Sequence, residues 1–485
     1  MHIGAGQNWK GMATMLKQLR LENFRAFRQV TIDFSRITIL AGANSSGKSS
    51  ILQAINGVLQ SKSERGFPFD FVLNGQLTQL GSYRNVVHGH NAKHSFGIHI
   101  KFSLGGEEYS AGGTFKVADD SPNLFPRSIS CSTGKSGSIS IEWNQKDRKF
   151  KLKIDPTQSL LAGNSKRLID TLIELAKVNR PSDQKSVAQL VSAIREDSGP
   201  ATGMLVDLLS ESVEIGREGI KSSSADAGLS LSEFEGRPFF VPIRNQVYKA
   251  LDVLRGQSSY LGPVRAHPSR YYSVARQNFT ADPYGESMSH TLALWKENRN
   301  PRFVEVKQAL VNLELATDLN AELELGEFLK LLVKPKGRQF PDTIADVGFG
   351  VSQVLPMLVA DAALEDGGML MVNQPEIHLH PSSQALLGNY FSSRSKKRQY
   401  VVETHSEYLI NRLRLLVARN ELQESDVVIY YCGSETTQNP SGVSKVTMKR
   451  DGTLSGMPKE FFSTYSVDTF NLAMTVMGDD DHASE

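Results

Sequence analysis

Apolar side chains nearly alternate through Leu19, Leu21, Phe24, Phe27, Val30, Ile32 and Phe34, and the rhythm breaks at Asn23. A period close to two marks strands with one buried face, so this segment predicts two strands and a turn. The run ITILA at 37–41 is apolar throughout, which suits a central strand covered on both faces. The spacing changes between Ser50 and Gln60, where Ile51, Leu52, Ile55, Val58 and Leu59 fall on one face of a helix. A buried strand, a glycine-containing loop and a helix thus follow one another directly.

Farther along, FGIHIKFSL, SISIEW and KFKLKI carry strand patterns between glycine-rich or charged turns, and read as antiparallel additions to the sheet. From about 157 to 258 the character becomes helical, in SLLAGNSKRLIDTLIELAKV, QKSVAQLVSAI and GMLVDLLSESVEI. A serine-rich stretch, KSSSADAGLSLS, precedes a further helix ending near Gly256. No heptad repeat is sustained, which excludes long coiled-coil arms here. ELELGEF and LKLLVKP return to strand character, VLPMLVADAAL is helical, and GMLMV at 368–372 and QYVVE at 399–403 are two more buried-strand runs.

The loop after the first buried strand is Gly42-Ala43-Asn44-Ser45-Ser46-Gly47-Lys48-Ser49. Glycine, four residues and then Gly-Lys-Ser is the phosphate-loop pattern, and its strand-before, helix-after context is the required one. Gly42, Asn44, Ser45, Gly47 and Ser50 belong to the stretch whose backbone N–H groups cradle phosphates, while Lys48 reaches their oxygens and Ser49 offers a hydroxyl to magnesium. ATP with Mg2+ is the expected ligand. Gly350, Ser352 and Gln353 form a second glycine-rich turn at a helix start, suited to present N–H groups and a hydroxyl to a phosphate. GMLMV ends in Asn373, Gln374, Pro375 and Glu376, at the strand end where P-loop enzymes hold metal and polarise water. His405 closes the next strand and is placed to sense a γ-phosphate. His378 and His380 have no cysteine or further histidine close by in sequence and read as a structural or dimer-contact loop.

Composition narrows these readings without redirecting them. Basic and acidic residues number 54 and 52, so no global positive field announces nucleic acid, although a local patch is compatible with it. Cys131 and Cys432 are far apart and form no CxxC, which fits a reducing cytoplasm and excludes a disulfide framework. No signal peptide and no apolar run of membrane-spanning length occurs, so a membrane location is not expected.

Together the motifs resemble the RecF/OLD-like ABC ATPases, and more closely a bacterial AAA-type family with a C-terminal domain of unknown function 3696. The likeness runs through LKQLRLENFRAF, GANSSGKSSILQA, LNGQLTQLGSYRNVVH, YLGPVRAHPSRYY, DVGFGVSQVLP, PEIHLHP, VETHSEYL and MPKEFF. It implies an α/β P-loop ABC-type ATPase head with antiparallel β additions and an inserted helical subdomain. The expected divisions are an N-terminal extension at 1–14, a lobe with Walker A at 15–156, a helical insertion at 157–258, a lobe with signature, Walker B and switch histidine at 259–433, and a C-terminal region with an acidic tail at 434–485. It also implies homodimerisation through the heads, each P-loop facing the other subunit's signature loop, and a Q-loop glutamine, for which Gln79 and Gln76 are the candidates.

Two departures qualify the resemblance. Asn373 and Gln374 occupy positions where the family pattern carries acidic residues, and an amide cannot act as a general base near neutral pH. Gln374, Glu376 and His405 are therefore the catalytic candidates, Ser49 and Asn373 the metal candidates, and hydrolysis is expected to be slow or lost. No clear acidic DxD set on a βαβ unit follows His405, and the terminal GDDDHASE reads as a solvated tail, which sets the chain apart from nucleases of the OLD type. Relatives of this kind commonly accompany a nuclease, of HNH type in the Septu anti-phage system, so the resemblance suggests a nuclease-controlling subunit of a defence complex. A DNA-binding repair ATPase like RecF is the alternative.

Overall fold

A computed structural model describes residues 11–62, 66–117, 124–144, 149–156, 213–216, 240–273, 282–324, 328–433, 436, 439, 441–458, 472 and 475. The extension over 1–10, most of the expected helical insertion (157–212 and 217–239) and the acidic tail lie outside these residues. The chain divides into two compact units, one of Met1–Asp33 with Ser50–Gln257 and the other of Phe34–Ser49 with Ser258–Glu485.

The strands of the first half are β1 (Thr14–Phe24), β2 (Phe27–Asp33), β3 (Ile37–Gly42), β4 (Phe96–Leu104), β5 (Glu107–Val117), β6 (Leu124–Thr133), β7 (Gly137–Asn144), β8 (Lys149–Pro156) and β9 (Val213–Gly216). All but β3 belong to the first unit, as one antiparallel sheet in the order β2-β1-β4-β5-β6-β7-β8-β9. The alternation of the opening segment is borne out: β1 and β2 pair up to Phe24 opposite Phe27, and Asn23 and Arg25 take left-handed conformations at the turn. The expectation that the later β runs extend the P-loop sheet is corrected. β3 has both of its edges taken by parallel strands, at 399–403 and at 427–432, and so offers none to these runs.

β9 falls inside the stretch that the spacing predicts as helical, within GMLVDLLSESVEI, and pairs with β8. The helix Phe240–Gly256 ends where the sequence places its end and buries Phe240, Ile243, Val247, Leu251 and Leu254. Phe24, Phe67, Phe71, Phe96 and Phe115 meet ring to ring at centroid distances of 5.6–6.3 Å in this unit's core. Apolar area removed from water is worth roughly 25 cal/mol per Å2, so aromatic clusters of this kind dominate core energetics.

The second unit adds β10 (Ser258–Leu261), β11 (Tyr272–Ser273), β12 (Asp318–Glu324), β13 (Phe328–Lys334), β14 (Asp342–Thr343), β15 (Met369–Asn373), β16 (Gln399–Glu403), β17 (Val427–Cys432), β18 (Val443–Met448) and β19 (Leu454–Ser455). Its main sheet runs β10-β15-β16-β3-β17-β18-β19. The first five strands are parallel and the last two antiparallel. Every residue of β15 and β16 is buried, as expected of parallel strands covered on both faces. β12 and β13 form a hairpin in a separate small sheet. Helices Phe349–Ala363, Pro381–Arg394 and Glu407–Ala418 pack Leu355, Leu358, Leu387, Phe391, Leu409 and Leu413 into the core around it. No described helix is long and apolar enough to cross a membrane.

Candidate functional site

Parallel strands β15, β16, β3 and β17 all end on one edge of the sheet, which is where ligands bind in open α/β folds. β3 ends at Gly42, the loop follows, and the helix Lys48–Gln60 begins at Lys48. Gly42 has φ +136°, Ser45 +61° and Gly47 +96°, so the loop turns three times through left-handed or glycine-only backbone. The N–H groups of Ala43 to Gly47 have no backbone acceptor among the described residues. The hydroxyl of Ser46 is buried without a partner. A concave row of free donors at a helix N-terminus fits phosphate oxygens.

The Lys48 ammonium is buried and donates to the carbonyls of Gly42 and Ala43 at 3.1 and 2.6 Å. Burial lowers its pKa, and the negative charge of Glu403 opposes that shift. Ser49 Oγ donates to Glu403 Oε1 at 2.9 Å. Asn373 Nδ2 donates to the other carboxylate oxygen, Oε2, at 2.5 Å, while Asn373 Oδ1 is buried with no partner. Glu403 thus joins the P-loop to the end of β15. Its pKa is raised, chiefly by burial, although the Ser49 hydroxyl and Lys48 favour the ionised form.

Glu376 occupies the second strand-end loop. Its Oε1 accepts the backbone N–H of His405 at 2.7 Å, and its Oε2 is buried and unpartnered. Burial raises its pKa against the pull of hydrogen bonds and of Arg265. Arg265 donates to the Asn373 carbonyl at 2.6 Å, and burial lowers its pKa to about 10. Gln374 sits at φ +44°, half-buried, with its N–H donating to the Glu403 carbonyl at 2.6 Å. The pKa of His405 is lowered, by partial burial of the ring first and then by Lys48, so the ring is neutral at physiological pH and able to accept a proton.

Lys48, Ser49, Asn373, Gln374, Glu376 and His405 therefore converge in one unit, as the motifs imply. The signature candidates are placed differently from an outward-facing loop. Ser352 is buried and its hydroxyl donates to the Phe349 carbonyl at 2.7 Å. Gln353 and Gly350 are also buried. The Ser352 hydroxyl is thus engaged within its own turn. Gln79 belongs to the first unit, where its amide donates to the Gly75 carbonyl at 2.7 Å, and Gln76 is exposed there. Ser50 is buried and begins the first unit's share of the helix. His380 caps the helix Pro381–Arg394 by accepting from Ser382 N–H, and His378 packs edge-on against Phe349. No cluster of three or more His, Cys, Asp or Glu fit for a metal occurs among the described residues.

Two site residues escaped sequence reasoning. Glu403 was legible only as the polar end of a buried strand; an acidic residue closing an apolar run beside Thr404 and His405 was the available signal. Arg265 lay in the LGPVRAHP motif with nothing in its spacing to direct it to β15.

Magnesium and ATP fit this donor set. Ser49, Glu403 and Asn373 offer oxygen atoms of the hard kind Mg2+ takes, and the loop offers N–H groups to anions. A glycine loop between a central parallel strand and a helix, with polar strand ends beside it, defines a P-loop nucleotide-binding fold. Residues 15–194 and 280–410, well over half of the chain, match the family model of the AAA ATPase domain, and the chain belongs to that family. It is also similar to a DNA double-strand break repair Rad50 ATPase of Methanococcus maripaludis, 33% identical over 96 residues. That match covers 20% of this chain and only 8% of the Rad50 protein. Among solved structures it aligns with the Smc head domain of Pyrococcus furiosus, which carries an extended coiled coil and is bound to the C-terminal domain of ScpA, over 96% of this chain and 100% of that one, at 13% identity and a TM-score of 0.37. The SMC head domain of Thermotoga maritima aligns over 92% and 99%, at 13% identity and 0.35.

Proposed function

We propose that this chain binds Mg-ATP between paired heads and uses the bound nucleotide mainly as a signal, controlling an associated nuclease in a prokaryotic anti-phage complex, with weak or absent hydrolysis. The observation that carries this reading is the pairing of an intact P-loop, with Lys48 and Ser49 in place, with a β15 end whose Asn373 and Gln374 are amides. Ser49, Glu403 and Asn373 would hold Mg2+, which would supply positive charge to offset that of the phosphates. Lys48 and the loop N–H groups hold phosphate, and Ser49, Glu403 and Asn373 present oxygen donors. The carboxylate base expected at the end of β15 is the missing part: Gln374 has no proton affinity near neutral pH, and one oxygen of Glu376 is engaged by the His405 backbone N–H, which leaves the neutral His405 ring as the remaining proton acceptor. The nuclease and the defence setting rest on the motif resemblance.

Phosphate release tests the enzymatic half. The expected result is tight ATP binding with turnover near the background of Lys48→Ala, and that variant is itself expected to bind ATP about 10- to 100-fold more weakly, since hydrogen bonds to charged groups contribute about 1.5–3 kcal/mol. Sustained turnover well above Lys48→Ala overturns the signalling reading in favour of an energy-consuming one. Co-expression with a neighbouring nuclease reading frame tests the other half, with copurification expected.

The Rad50 similarity favours a second reading, a repair-type ATPase that binds DNA. Duplex DNA titrated at increasing salt separates the two, because phosphate-backbone contacts give a steep salt dependence. Tight, salt-sensitive binding by the chain alone selects the repair reading.

A further inference from the structure

We infer that the acidic ligand for the nucleotide's divalent cation has moved from the end of β15 to the end of β16, where Glu403 provides it together with the Ser49 hydroxyl and the side-chain amide oxygen of Asn373, Oδ1. The inference deepens the proposed Mg-ATP binding and rests on it. Three observations point to Glu403. It is the only carboxylate among the described residues that the Ser49 hydroxyl contacts, at 2.9 Å. Its other oxygen receives the Asn373 amide at 2.5 Å, which orients that amide so that Oδ1 is the atom left over. That Oδ1 is buried and unpartnered on a side chain only 1% exposed, an arrangement that is costly unless something else takes the oxygen.

The same contacts account for the amide at position 373. Strands β15 and β16 are adjacent and parallel, with Asn373 directly opposite Glu403. A carboxylate at 373 would stand against a second carboxylate at hydrogen-bond distance in a buried place, where like charges are unfavourable. An asparagine donates a hydrogen bond there instead. The site therefore supplies one negative charge from protein, Ser49 and Asn373 add neutral oxygens, and phosphate and water would complete the cation's ligands, as is usual for Mg2+ in nucleotide sites. The contacts from Ser49 and Asn373 fix the carboxylate from two sides, a supporting shell of the kind whose loss costs about 10- to 100-fold in metal affinity.

ATP titrated calorimetrically into the full chain, in Mg2+ and again in EDTA, tests this without any turnover. The wild-type chain is expected to bind at least about tenfold more tightly in Mg2+. In Glu403→Gln the ratio of affinities in Mg2+ and in EDTA, measured on the same preparation, should collapse towards one. The double variant Asn373→Asp with Glu403→Gln returns the acid to β15 and should restore the Mg2+ dependence. A thermal melt without nucleotide identifies any variant that is merely unfolded, and the double variant keeps the test open if the single one is. A wild-type chain that binds no ATP in either buffer overturns the nucleotide-binding reading and this inference with it. ATP binding whose Mg2+ dependence survives Glu403→Gln overturns this inference alone.

Discussion

Gly42→Ala should abolish ATP binding and lower the stability of the folded chain by about 3 kcal/mol or more, in the upper range for single substitutions. A Cβ built on Gly42 lies 2.0 Å from the carbonyl oxygen of Cys432 and 2.9 Å from its carbonyl carbon. Those atoms are backbone of β17, which pairs with β3 up to the Gly42 and Cys432 positions, so neither can yield as a flexible side chain would. The φ of +136° adds strain for any residue with a Cβ. Relief requires separating β3 from β17 at the point where the P-loop departs, and that displaces the carbonyl to which Lys48 donates. Thermal unfolding and ATP calorimetry on the same preparation check both effects. Gly256→Ala is the control, because nothing lies within 4 Å of a Cβ there and its stability change should be small.

Asp361→Ala should destabilise the chain by about 3–5 kcal/mol, the usual cost of removing one member of a buried ionic network. Asp361 is fully buried in the helix Phe349–Ala363. Its Oδ1 accepts the Tyr400 hydroxyl at 3.0 Å, and its Oδ2 accepts the Tyr390 hydroxyl at 2.6 Å, Arg394 at 3.0 Å and Arg398 at 3.1 Å. Glu305 also contacts both arginines, but it is a third exposed and cannot replace the four hydrogen bonds. Both phenols have pKa values pushed well above the ordinary range, by burial first and Asp361 next, so they remain hydrogen-bond donors through alkaline pH. Because Tyr400 lies on β16, loosening of this network reaches the strand whose far end carries Glu403. Denaturant titration should show a lower midpoint, and an ATP affinity that falls less than the stability would indicate that the strand ends hold independently.

Local features of the site were legible because they need only neighbours in sequence. The apolar run at 37–41, the glycine loop and the helical spacing after it depend on backbone conformation and on one buried face, and each appears as spacing. The convergence of three strand ends was legible more loosely, from polar residues closing buried runs at Asn373 and at His405. Assigning which of those polar residues touch was beyond the sequence. Nothing in the spacing says that Glu376, expected as a substitute base, gives one oxygen to the His405 backbone, or that the Ser352 hydroxyl, expected to face a ligand, bonds within its own turn. A side chain's contacts depend on rotamer, register and what lies across the sheet, none of which leaves a periodic trace.

The sequence by itself determined that the chain carries a phosphate-loop pattern between a buried strand and a helix, that a buried strand with a polar end follows far downstream, and that the residues closing it, Asn373 and Gln374, are amides. These follow from residue chemistry at short spacing. Only the tertiary structure decided that the first β runs build their own antiparallel sheet, since strand partners are chosen by which hydrogen-bonding edges remain free. It also decided that a glutamate on the adjacent strand stands between Ser49 and Asn373, because residues 354 and 30 positions apart meet only when β3, β15 and β16 lie side by side.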